Sequence, residues 1–327
     1  MIEFKIGVLI GACAVLIIWG LIYWRRQWLE SYIMEEEAPD GDYKVILRKR
    51  SAYQKIAVAE NNGVYHLFAD GSEMFSTDKA EDQYSEAIVH IPMAAAKTRE
   101  SVLIIGSGVG NTAREVLRYE EIESVTAVDL DPFIVEMGLT FEPFVNFTNG
   151  SLQDPRVKTV LDDGRKFLEK SNDRWDVIII DLPDPSYHTP ELSQLFSVEF
   201  YRLLKSRLYP GGAISIACSV VSTAPEYLAA IRATLKTAGF HVVPYHWDYI
   251  VEFAVDWGFC LATLKPVDPL SLEPLIPVKH LTEERLEDMF LLPRYLRVEW
   301  DEDEVQTDRN MLLAEILEGE YLIEKPE

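Results

Sequence analysis

Cysteine is scarce. The 327 residues hold three, at Cys13, Cys218 and Cys260, too few and too far apart for a disulfide framework. That scarcity suits a reducing compartment. The six histidines (His66, His90, His188, His241, His246 and His280) form no His-x-x-x-His or Cys/His cluster, so no metal site is predicted. Positive charge is also short: 31 lysines and arginines face 54 acidic residues, a formal net charge of −23. Nucleic acid is excluded as a partner, because it needs a cationic surface. An acidic surface steers cations, although acidity by itself also serves solubility. No internal repeat or low-complexity tract is present. With 48% hydrophobic and 26% charged residues, the chain has ample core for one large domain or two smaller ones.

The most informative stretch is Ser101-Val-Leu-Ile-Ile-Gly-Ser-Gly-Val-Gly110, followed at once by the helical pattern Asn111-Thr-Ala-Arg-Glu-Val-Leu117. A strand ending in Gly106, Gly108 and Gly110 before a helix is the entry of a doubly wound α/β domain with a nucleotide-like ligand. Dehydrogenases, flavoproteins and methyltransferases all use such a turn. The next strand, Ser124-Val-Thr-Ala-Val-Asp129, places Asp129 roughly 20 residues on, where a carboxylate holds ribose hydroxyls. A third, over 157–161, ends in Asp162-Asp163-Gly164, and a fourth, over 175–180, ends in Asp181-Leu-Pro-Asp184-Pro185. Single acids after strands commonly cap helices. Four successive strand ends, each delivering a glycine turn or a carboxylate to one sheet edge, point to a ligand site.

In chain order, residues 6–24 form an uncharged run of about bilayer-spanning length, followed by Arg25-Arg26 with Trp24 and Trp28 as interfacial anchors. They predict a transmembrane signal anchor over 1–30, with the protein at the cell membrane as a single-pass chain and its catalytic domain cytoplasmic. Residues 31–42 read as an acidic linker. Residues 43–97 read as a small β-rich domain with hairpin turns at Asn62-Gly63 and Asp70-Gly71 and a connecting helix over 80–97. The α/β domain spans 98–266, with a strand over 213–217 preceded by a turn at Pro210-Gly-Gly212 and a last strand over 257–264. Residues 267–327 form its tail, with an amphipathic helix around 283–290.

The motifs Ser51-Ala-Tyr-Gln-Lys-Ile56, Asp70-Gly71, Tyr84-Ser-Glu86, Val102-Leu-Ile-Ile-Gly106, Arg114-Glu-Val-Leu117, Asp162-Asp-Gly164, Asp181-Leu-Pro-Asp-Pro185 and Leu292-Pro293 occur in this order. Together they resemble the polyamine aminopropyltransferases, the spermidine synthases, over roughly residues 43–325. The run Pro244-Tyr-His246 with Trp257-Gly-Phe259 resembles a bacterial membrane-anchored branch. The resemblance implies a Rossmann-like, S-adenosylmethionine-dependent methyltransferase fold behind a small β domain. It also implies decarboxylated S-adenosylmethionine as co-substrate, no tightly bound cofactor, a putrescine-like amine acceptor and a homo-oligomer, dimer or tetramer. Carried over by position, it makes Asp181 the catalytic carboxylate with Tyr84 assisting. Gln54 contacts the donor, while Asp163 and Gly164 contact its adenine. Ser85, Val109, Asp184 and Tyr245 belong to the amine side. Val109 stands where the family's glycine loop usually carries Asp, and Ser85 where it carries His or Gln. These departures keep open a methyltransferase of a small amine using intact S-adenosylmethionine, and a non-catalytic ligand-binding scaffold.

Overall fold

The computed structural model describes residues 15–25, 43–251 and 253–319. The chain divides into two compact units, 1–78 and 79–327.

Residues 15–25 are helical (α1). The membrane anchor expected over 6–24 is corrected here. Its positions 6–14 lie outside the described residues, as does the acidic linker at 31–42. Among the described residues no helix is long and apolar enough to cross a membrane. The single-pass placement at the cell membrane is therefore withdrawn.

The rest of the first unit is an antiparallel meander in the order β1 (Lys44–Arg50), β2 (Lys55–Asn61), β3 (Val64–Ala69) and β4 (Ser72–Ser76). Asn62 and Gly63 both take positive φ, 51° and 84°, and Asp70 and Gly71 do the same at 51° and 98°. That backbone matches the twist of paired strands in two-residue hairpins. The fourth strand, Ser-Glu-Met-Phe-Ser, has no apolar alternation that marks it in the sequence.

The second unit opens with α2 (Asp82–Ala95), followed by β5 (Ser101–Ile105), α3 (Asn111–Val116), β6 (Ser124–Asp129), α4 (Pro132–Thr140), α5 (Glu142–Phe147) and β7 (Val157–Leu161). Next come α6 (Gly164–Lys170), β8 (Trp175–Ile180), α7 (Pro190–Ser193), α8 (Val198–Arg207), β9 (Leu208–Ala217), α9 (Pro225–Thr237) and the hairpin β10 (His241–Ile250) and β11 (Val255–Thr263). The tail carries α10 (Glu283–Phe290) and α11 (Leu312–Leu317). These strands form one seven-stranded mixed sheet in the order β10-β11-β9-β8-β5-β6-β7, with β10 and β11 antiparallel to their neighbours. This is the Rossmann-like α/β architecture expected. Pro210-Gly211-Gly212 lie inside the span of β9, at a register shift against β8, rather than in a turn before it.

Alternation along the central strands explains the two layers. Leu103, Ile105, Ile178, Ile180, Ile214 and Ile216 face one buried cluster together with side chains of α8, α9 and α11. Val102, Ile104, Val177, Ile179 and Ala213 face the other, with α2, α3 and α10. Side chains two apart share a face of a strand, so a sheet covered on both sides reads as a continuous apolar run. The fully buried Trp175-Asp-Val-Ile-Ile-Ile180 of β8 is such a run. Strand order reverses about the middle of the sheet: β5 is followed outward by β6 and β7, but β8 pairs with its other side. Ligands of open α/β sheets lie at the carboxyl ends of the strands at such a reversal.

Candidate active site at the carboxyl edge of the sheet

The reversal brings the ends of β5 and β8 together. The Asp181 N–H donates to the Ile105 carbonyl at 2.9 Å, continuing the ladder one step beyond the end of β8. Gly106 follows with φ of +85°, and its N–H donates to the Val128 carbonyl at 2.9 Å. A Cβ at Gly106 would overlap the carbonyl oxygen of Asp181. Glycine is thus required where the loop crosses that strand end. Gly108 and Gly110 complete the turn with φ of +53° and +101°.

Asp129 ends β6 and ties down this loop. One carboxylate oxygen accepts the Gly108 N–H and the other the Asp131 N–H, both at 2.9 Å. Burial is the largest influence on its pKa and the two N–H donors oppose it, leaving the group pushed up to about 6. Beyond β7, Asp163 is the N-cap of α6, accepting the Lys166 N–H at 2.9 Å. Gly164 starts that helix, and a Cβ there would stand 2.6 Å from Ile105 Cγ2, so its absence lets α6 close onto β5.

Asp181 is the centre of the arrangement. Tyr84, from α2, donates its hydroxyl to Oδ1 at 2.7 Å, and Thr112, from the first turn of α3, donates to Oδ2 at 2.6 Å. The Tyr84 ring is wedged among Phe253, Trp257 and Phe259, each 5.7 Å away between centroids. These rings help desolvate the carboxylate. Burial raises its pKa most, the two hydroxyls pull it back, and the Glu81 charge pushes it up again, with a result of about 6. The Tyr84 phenol is raised well above its usual value by burial and by Asp181, so it stays protonated and remains the donor. Asp184 is also pushed up to about 6 by burial, and it accepts the Ser219 hydroxyl at 2.5 Å. Ser219 takes φ of +61°, a left-handed backbone seldom adopted by a side-chain-bearing residue. Two desolvated carboxylates beside an aromatic wall are built to hold an ammonium and to take a proton from it.

Three residues expected on the amine side are buried. Ser85 is wholly buried and donates its hydroxyl to Glu81, one helical turn earlier, in a network with Asn111 and Arg114. Adjacent helix positions do not share a face, so Ser85 cannot follow Tyr84 to Asp181. Val109 is 1% exposed, leaving its side chain no free surface. Its carbonyl would stand 2.5 Å from a Cβ on Gly138. Tyr245 is fully buried, stacked on Phe259 at 5.1 Å; its hydroxyl donates to the Ala87 carbonyl at 3.1 Å and bonds the Ser215 hydroxyl at 3.0 Å. It is core, one layer beneath Tyr84. Gln54 belongs to the first unit, where its N–H donates to the Ser51 hydroxyl at 3.1 Å in the turn before β2. Glu86, in the Tyr84-Ser-Glu86 motif, accepts the backbone N–H groups of Lys279, His280 and Leu281 at 2.7, 2.8 and 3.0 Å. It fixes the tail on α2.

Thr112 and Ser219 were not singled out from sequence. Ser219 lies two residues beyond β9, so the strand-end logic that marked Asp181 reaches it as well. Thr112 carried the weaker signal of a hydroxyl in the first turn after the glycines.

Residues 81–267 match the family described as spermine/spermidine synthase domain. A polyamine aminopropyltransferase of Oceanobacillus iheyensis is 32% identical over 276 residues, covering 84% of this chain and 52% of that protein. One from Mycobacterium tuberculosis is 37% identical over 233 residues, covering 70% of this chain and 43% of that protein. The chain thus spans about half the length of these relatives. A solved spermidine synthase in complex with the transition state analogue AdoDATO superposes with a TM-score of 0.66 at 26% identity, covering 78% of this chain and 87% of that one. The matches speak for the family as a whole and not for a membrane-anchored branch of it. With the family match covering more than half its length and the reversal-point carboxylates in place, the chain belongs to the spermine/spermidine synthase family.

Proposed function

We propose that this chain transfers an aminopropyl group from decarboxylated S-adenosylmethionine to putrescine or a related small amine. The observation that carries the reading is Asp181, held at the strand-order reversal by two hydroxyls with its pKa near 6. The sulfonium already activates the donor carbon. The amine nitrogen attacks that carbon, the C–S bond breaks, and methylthioadenosine leaves with the electron pair. The amine proton passes to Asp181. Tyr84 and Thr112 orient the acceptor oxygens, Asp184 holds the amine, and Asp129 binds the ribose diol. Asp163 and Gly164 form the adenine end. Donor binding and transfer fall to residues 98–266, completed by α2 and by the tail over 267–327.

Asp129→Ala should weaken methylthioadenosine binding by roughly 1.5–3 kcal/mol, the scale of hydrogen bonds to a charged group. Calorimetry reads this directly, and unchanged affinity would remove Asp129 from the donor site. Thr112→Val removes one of the two hydroxyls that favour the charged form of Asp181. The folded pKa then rises above about 6, so the acid limb of the kcat/KM profile should move to higher pH, with roughly 10-fold loss at neutral pH. An unmoved limb would show that Asp181 is not the titrating base.

A further inference from the structure

Helix α3 starts directly after the glycine turn, with Gly110 as its N-cap at φ of +101° and no side chain capping its first N–H groups. Its first two residues reach in two directions. The Thr112 hydroxyl donates to Asp181 Oδ2 at 2.6 Å, and the Asn111 side-chain amide donates to Glu81 Oε1 at 2.9 Å. Consecutive helix positions point roughly 100° apart, so the two bonds together fix the rotation of this turn about its axis. Glu81 is an unusual anchor. It stands at the N-cap of α2, where a side chain commonly accepts N–H groups of its own helix, yet it makes no such bond. It is 2% exposed, and its oxygens take the Ser85 hydroxyl, the Asn111 amide and, at 2.6 Å, the Arg114 guanidinium. Arg114 also pairs with Asp82 at 3.0 Å and Glu115 at 3.1 Å, and Lys279 of the tail pairs with Asp82. Apolar residues of the same volume would serve stability as well as this buried cluster, whereas its directed bonds fix the placement of α3 against α2. The same helix α2 carries Tyr84, which holds the other oxygen of Asp181.

We propose that Asn111 is a positioning residue for the transfer: anchored on Glu81, it holds the Thr112 hydroxyl against Asp181, the proton acceptor. The proposal rests on that reading of Asp181 and adds what keeps the acceptor's partner in place. The groups acting on Asp181 are Thr112 from α3 and Tyr84 and Glu81 from α2, while Asp184 acts in turn on the Tyr84 phenol. Loss of Asn111 leaves all of these charges in place and frees only the Thr112 hydroxyl. That hydroxyl favours the charged carboxylate, so the pKa of about 6 should rise when it swings away.

The pH profile of kcat/KM for the full chain tests this. Asn111 is partly exposed, so its truncation leaves the core intact. In Asn111→Ala the acid limb should move to higher pH, in the direction expected for Thr112→Val, with about 3–10-fold lost near pH 6 and recovery above about pH 8. Asn111→Leu, similar in size and without a donor, should do the same. Methylthioadenosine affinity should not change in either. In a Thr112→Val background, Asn111→Ala should move the limb no further, because the hydroxyl it positions is gone. A purely structural lesion would lower rates at every pH and add to the effect of Thr112→Val. A limb left in place by both Asn111 variants, a loss that persists at high pH, or full additivity with Thr112→Val would overturn the proposal while leaving Asp181 as the base. A limb that survives in Asp181→Asn would instead overturn the reading of Asp181, and this proposal with it.

Discussion

Asp181→Asn is expected to leave donor binding intact and to lower turnover by about 10²–10⁴-fold, the range for losing a positioned proton acceptor. The amide has nearly the same shape and still accepts one hydroxyl through its oxygen. What disappears is the negative charge and the basic lone pair facing the amine. The pH dependence follows from the same group. Its folded pKa lies at about 6 because burial outweighs the two hydroxyls. A base must be ionised to act, so kcat/KM should rise with pH up to and through about 6 and then level off. In Asp181→Asn that limb should vanish. Full activity in this variant would end the assignment of Asp181 as base.

The second large effect comes from a single methyl group. Gly106→Ala places a Cβ onto the Asp181 carbonyl oxygen and asks for φ of +85° from a residue that disfavours it. Neither strand end can yield easily, since the Asp181 N–H is bonded to Ile105 and the Gly106 N–H to Val128. The expected cost is about 2–4 kcal/mol of stability. Turnover should fall by roughly 10²-fold even where the variant folds, because a displacement near 1 Å spoils alignment. Thermal unfolding and single-turnover rates separate the two losses. A variant with wild-type melting temperature and rate would mean that the loop does not cross Asp181 as described.

Much of this was legible because it depends on local chemistry. Runs such as Val102-Leu-Ile-Ile105 and Val177-Ile-Ile-Ile180 must be buried strands, and a ligand edge follows from where they end. Asp129 and Asp181 were therefore readable. The burial of Ser85, Val109 and Tyr245 has another cause. Nothing linear tells which polar side chains the core consumes: Ser85 turns to Glu81, and the Tyr245 hydroxyl is satisfied by Ala87 and Ser215. Val109 is buried for a similar reason, since Gly138 lets α4 approach its carbonyl closely. Partners 30 or 158 positions apart become neighbours only once α2 has packed on the sheet. The anchor failed differently: it was read from an apolar run and its flanking Arg25-Arg26, and among the described residues no helix is long and apolar enough to cross a membrane.

The most direct test is to give the purified chain decarboxylated S-adenosylmethionine or intact S-adenosylmethionine, each with a panel of diamines, and to read the products by mass. The account predicts methylthioadenosine and an amine lengthened by one aminopropyl unit, formed from the decarboxylated donor alone and lost in Asp181→Asn. A methylated amine with S-adenosylhomocysteine, or no product from either donor, would contradict it.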